Sequence, residues 1–152
     1  MPVRKKSALQ AFVEPVPFNW LADEDDEITQ QQPYWGLGGE VRYRSGDMVF
    51  TSGQHVQDIY IFECGEVLLT RGSRARSYSR CPVEPHEIFG IIEMLAGAAF
   101  ESGLEVSAPS RFWVIDSREF IQLLQTYPDI SLRLAASLGK LCHDAIIHLR
   151  DQ

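Results

Sequence analysis

The chain has 152 residues, enough for one domain with an ordinary buried core. Its formal net charge of -7 disfavours a general nucleic-acid surface, which needs clustered Lys and Arg. No apolar run reaches the ~20 residues of a membrane span, and Gln10 and Glu14 interrupt any signal-peptide core after Met1-Pro2-Val3-Arg4-Lys5-Lys6, so neither membrane nor export is expected.

The three cysteines, Cys64, Cys81 and Cys142, are odd in number and widely spaced, which suits reduced thiols and a cytoplasmic location. Residues 1–38 read as an irregular, partly ordered leader with some helical content. Pro15 and Pro17 break any helix begun at Ser7, and Asp23 to Glu27 form an acidic run. Phe12, Phe18, Trp20, Tyr34 and Trp35 are too many aromatics for a disordered segment, and some are expected to pack on the domain or on a partner.

From 39 to 116 the pattern is all-β. Short runs rich in Val, Ile, Phe, Tyr and Thr are punctuated by Gly46-Asp47, Ser52-Gly53 and Cys64-Gly65. Strands are predicted at Val41–Tyr43, Met48–Thr51, Ile59–Phe62, Glu66–Thr70 and Arg76–Cys81, the last two joined by a turn at Arg71-Gly72-Ser73-Arg74. Pro82 and Pro85 steer the chain into Glu87-Ile88-Phe89-Gly90, and Leu104–Ala108 and Arg111–Asp116 follow, parted by Pro109-Ser110. The remainder switches to helical period. A helix over 117–127 is predicted, capped by Ser117 with Glu119 in its first turn, and a second over 128–150 starts at Pro128. Leu134, Leu138, Leu141, Ala145 and Leu149 form a stripe on that second helix. It is either a face packed on its own domain or a dimer seam.

Four pieces in this order resemble the cyclic-nucleotide-binding domain, the β-roll sensor of catabolite activators, kinase regulatory subunits and gated channels. They are Gly46-Asp47, the glycine-ended strand Ile59 to Val67, Glu87-Ile88-Phe89-Gly90, and Ser117-Arg118-Glu119-Phe120 followed by Tyr127-Pro128-Asp129-Ile130. The resemblance covers residues 40–149. It implies an α+β domain over 39–152: an eight-stranded antiparallel β-roll of the jelly-roll type at 39–116, followed by the two C-terminal helices.

It also identifies where a ligand would sit. In binding members Phe-Gly-Glu opens a short helix and an Arg follows about nine residues after the Glu, so that helix N-terminus and guanidinium hold the cyclic phosphate. Here Phe89-Gly90 and Gly97 are kept, but the Glu position is Ile91 and the Arg position is Phe100, followed by Glu101. Losing a bidentate charged contact costs about 2–3 kcal/mol, and a nearby like charge adds to it. The polar pair that would hold the purine falls at Ala145 and Ile146, which offer no side-chain hydrogen bond. The resemblance therefore implies a degenerate pocket lined by Phe89, Gly90, Ile91, Ile92, Met94, Phe100, Glu101 and Ser102. Glu93, or an Arg from positions 74, 76, 80 or 111, are the substitutes that a rearranged cassette would need.

Other chemistry finds little support. His55, His86, His143 and His148 are scattered, without the paired spacing of a metal site. Cys81-Pro82 resembles a haem-ligating dipeptide, with His86 close behind. No Ser or Cys sits in a Gly-framed elbow and no Gly-rich phosphate loop is present, so no enzyme is expected. The residues after Leu149 leave no room for a helix-turn-helix domain, so DNA binding by that route is not expected of this chain. The reading is a non-catalytic regulatory or interaction module without a cofactor, working as a homodimer or on a protein partner. A true cyclic-nucleotide sensor with a rearranged cassette and a haem or redox sensor are the alternatives.

Overall fold

The structure, a computed structural model, describes residues 16–17, 33–80 and 87–150. Strand β1 (Val16–Pro17) is followed, after a 3-10 turn at Pro33–Gly36, by β2 (Gly39–Tyr43), β3 (Met48–Phe50), β4 (Asp58–Arg71), β5 (Arg74–Arg80) and β6 (Glu87–Phe89). A short helix α1 (Ile91–Ala96) leads to β7 (Gly103–Asp116), and helices α2 (Ser117–Thr126) and α3 (Pro128–Arg150) complete the domain. All strand pairs are antiparallel, with β4 and β7 at the centre of a sheet ordered β1-β6-β4-β7-β2; β5 pairs with β4, and β3 with β7. The architecture is the α+β roll expected from the alternating runs.

Its strand count differs from the eight expected. Among the described residues six strands occupy 39–116, and β1 adds a seventh from the leader. The difference arises because Cys64-Gly65 and Pro109-Ser110 are bends within two 14-residue strands, not breaks between four short ones. Register slips occur between Phe62 and Val67 where β4 meets β7, as in a β-bulge. Ser110 repairs the interrupted ladder: its hydroxyl donates to the Ala108 carbonyl at 2.7 Å and accepts from the Glu66 amide at 3.0 Å. Gly65, at φ +124, lies so close that a Cβ there would meet Ser110 Oγ at 2.1 Å.

Strand periodicity sorts the core into two clusters. Ile59, Ile61, Ile88 and Ile115 lie in one with Phe120, Leu123, Ile130 and Leu134 of the helices, while Tyr60, Phe62, Phe89 and Phe112 join Phe50, Phe100 and Leu104 in the other. Both faces of β4 are thus covered, which is why Ile59–Phe62 reads as a continuous apolar run. Phe62 and Phe112, fully buried, stack at 5.2 Å.

The helix boundaries follow local chemistry. The cap of α2 is Asp116 and not Ser117, since its carboxylate accepts from the Arg118 and Glu119 amides. Arg118 holds the Asp116 carboxyl below the usual carboxylate range. On α3 the stripe divides. Leu134 is buried against the roll with Leu138 and Leu141 packed beside it, Ala145 is half-buried, and Leu149 is exposed with Ile146 and Ile147. Of the leader aromatics, Tyr34 is buried and its ring lies 5.3 Å from that of Trp113, while Trp35 meets Phe120 edge-on at 6.3 Å. Phe12, Phe18, Trp20 and the acidic run lie outside the described residues.

Candidate functional site

The short helix and its flanking turns form a compact cassette. β6 delivers Phe89 to Gly90, which adopts φ +106 and opens α1. A Cβ at Gly90 would meet the Asp58 carbonyl at 3.2 Å and Phe100 Cζ at 3.5 Å, so the turn sits directly on the Phe100 ring. Gly97, at φ +68, closes the helix: its amide donates to the Met94 carbonyl at 3.2 Å and the Ala98 amide to that of Glu93 at 2.9 Å. The chain then drops Phe100 into the roll.

Phe100 is fixed from both sides. Its amide donates to the Gln54 carbonyl at 3.0 Å and its carbonyl accepts from the Gly53 amide at 2.7 Å. Its ring stacks on Phe50 at 3.8 Å with planes 12° apart, and the Tyr60 ring lies 6.4 Å from it and 5.6 Å from Phe50. Only 2% of Phe100 is exposed. Burial pushes the Tyr60 phenol up to about 12, with Asp58 and Tyr43 adding to the shift, so this wall stays neutral at physiological pH.

The predicted lining residues are divided between the two clusters. Phe89 and Phe100 occupy the roll interior, whereas Ile91, Ile92 and Met94 pack on the helix side. Glu101 is exposed and paired with Arg71 at 3.0 Å. Ser102 is buried, and its hydroxyl has no hydrogen-bond partner among the described residues. Sequence reasoning missed Phe50, Tyr60 and Arg71. The first two carry the signal of aromatic residues within predicted strands, but nothing local marks them as partners of Phe100.

The substitutes a rearranged cassette would need fare differently. Arg111 is engaged elsewhere, 3.4 Å from Glu63 and 3.6 Å from Glu40, where the Tyr34 hydroxyl also donates to Glu63 at 2.8 Å. Glu93 is buried in α1 with its carboxyl raised above the usual range by that burial, offset in part by a backbone hydrogen bond and reinforced by Glu101. The folded pKa lies above the unfolded one, so Glu93 opposes folding increasingly as pH rises through the folded value. Glu93→Gln is therefore expected to raise the melting temperature at pH 7. The gain should disappear below about pH 4.3, where both states are protonated; a gain that persists at pH 3.5 would show a different cause.

Among the described residues no group of three or more His, Cys, Asp and Glu is placed to hold a metal ion. No described helix is long and apolar enough to cross a membrane. Cys81 and His86, the pair behind the haem reading, lie outside the described residues. Two further cavities are lined by described residues. One, of about 530 Å³, adjoins Asp58, Asp116 and Arg118; the other, of about 420 Å³, opens between the 33–37 turn and the junction of α2 with α3.

Comparison with known proteins locates this geometry. The cyclic nucleotide-binding domain family matches residues 40–127. The sensor domain of the transcriptional regulator DNR from Pseudomonas aeruginosa superposes with a TM-score of 0.65 at 17% identity, over 94% of this chain and 89% of that one. The Thermus thermophilus catabolite activator protein gives 0.64 at 20% identity, over 88% of this chain and 61% of its own. PKAR CBD2 bound to Sp-2Cl-cAMPS gives 0.60 at 16% identity, over 84% and 83%. At these identities the solved structures carry the fold alone.

Proposed function

The chain belongs to the cyclic nucleotide-binding domain family, a regulatory and sensory fold, and we propose that it is a member whose cassette is closed by its own side chains and not by a nucleotide. On this reading the domain is a non-catalytic regulatory or interaction module. The observation that carries it is the Phe100 ring, stacked on Phe50 at 3.8 Å and almost wholly buried at the position where the family resemblance implies a phosphate-binding Arg. Ile91 at the family's Glu position and the Glu101 carboxylate beside Phe100 support the same conclusion, since an anionic phosphate would meet a hydrocarbon and a like charge.

A second reading has one observation in its favour. Arg71 reaches the cassette loop, and its guanidinium could exchange Glu101 for a phosphate. Thermal unfolding with millimolar cyclic AMP, cyclic GMP and cyclic dinucleotides separates the two. A ligand at 100-fold over its dissociation constant stabilises by about 2.7 kcal/mol, several degrees for a domain of this size. No shift with any of them is expected. A shift with one nucleotide that Arg71→Ala abolishes would establish the rearranged sensor instead.

A further inference from the structure

The cavity between the 33–37 turn and the α2–α3 junction is not part of the cassette. Its volume of about 420 Å³ lies in the range of sites for small organic molecules. Its lining includes Leu123 and Ile130, both buried, and the aromatic residues Trp35 and Tyr127. Among the described residues that line it, Glu119 is the one that carries a charge.

The placement of Trp35 is unusual. Tyr34 and Trp35 occupy consecutive left-handed conformations, at φ 54 and φ 61, and they are the non-glycine residues of positive φ among those described. L-residues hold such conformations only where their surroundings enforce them, and such positions cluster at ligand clamps and functional sites. Here the enforcement is visible. The Tyr34 hydroxyl donates to Glu63, the Trp113 indole donates to the Leu37 carbonyl at 2.7 Å, and the Trp35 ring abuts Phe120. The result is an indole held at the cavity wall by a backbone that would otherwise relax.

Two aromatic rings present electron-rich faces, which attract cations, and a carboxylate in the same cavity adds a full negative charge. An anionic ligand would be repelled by Glu119 and by the net charge of -7. A bare inorganic cation would gain nothing from the apolar lining. We propose that this cavity is a binding site for a small organic ammonium ion carrying an apolar body, its nitrogen near Glu119 and the aromatic rings and its body on Leu123 and Ile130. The proposal is independent of whether the cassette binds a nucleotide.

The test is a titration of the full chain, labelled with nitrogen-15, with phenethylammonium and separately with the neutral phenethyl alcohol. Saturable shifts of the Trp35 indole N–H and of amides in 119–130 are expected with the amine and not with the alcohol at the same concentration. Glu119→Gln and Tyr127→Leu each alter an exposed residue and leave the Asp116 cap of α2 in place. Each should weaken amine binding about tenfold or more with unchanged melting temperature. No saturable shift, equal binding of the alcohol, or an unchanged dissociation constant in Glu119→Gln would overturn the proposal.

Discussion

Phe100→Ala is expected to destabilise the domain by about 3–5 kcal/mol in denaturant unfolding, the range for removing a buried phenyl ring from a packed core. The ring is 2% exposed, and it contacts Phe50 and Tyr60 within the interior cluster. Its amide and carbonyl are bound to the 51–57 loop, so the backbone cannot follow the missing ring and a cavity should remain. Phe100→Leu keeps much of the volume and should cost clearly less. If Phe100→Ala cost under about 1 kcal/mol, the ring would be a loose lid and the reading of a self-filled pocket would fail. The variant should also gain no affinity for cyclic AMP, because Ile91 and Glu101 are unchanged.

Gly38→Ala is the second large effect. Gly38 sits at φ +73 between the 33–37 turn and β2, and a Cβ would stand 2.2 Å from the Val114 carbonyl oxygen and 2.8 Å from Ile115 Cγ1. The nearest obstacle is the backbone of β7 near its C-terminal end, which cannot swing aside as a side chain can. Overpacking and the left-handed conformation together should cost about 2–5 kcal/mol. That lowers the melting temperature by about 5 °C or more in a domain of this length. The same variant should disturb the 2.7 Å bond from the Trp113 indole to Leu37, seen as a shift of that indole N–H. A melting point within a degree of the parent would contradict the packing of the turn onto β7.

How much of this was legible in the sequence follows from the range of each signal. The strand runs were readable because the signal is local: Ile59 to Phe62 is one continuous run of β-branched and aromatic residues, and the structure places its odd and even members in different clusters. The strand count was not readable. A glycine such as Gly65 breaks a strand or bends one with the same letters, and the difference rests on Ser110 restoring the ladder from the other strand, far along the chain. The α2 cap moved from Ser117 to Asp116 for a local reason, since both types cap and the register is set by where β7 releases the chain.

The cassette was half legible. The family resemblance identified Phe100 at the Arg position, but not that its ring would find Phe50 across the roll. Nor could spacing show that Ile91, Ile92 and Met94 turn to the helix side once Gly90 redirects the chain. The stripe on α3 left two surfaces open, and the structure divides it, with Leu134 packed on the roll and Leu149 exposed.

The most direct test of the central claim is to follow the Phe50 and Phe100 rings by NMR while cyclic AMP is raised to millimolar concentration. The self-filled cassette predicts that cross-relaxation between the two rings persists unchanged, with no contacts from the nucleotide to either ring or to Gly90. Loss of the Phe50–Phe100 contact together with nucleotide contacts at Gly90 would contradict it and establish Phe100 as a gate over a working nucleotide site.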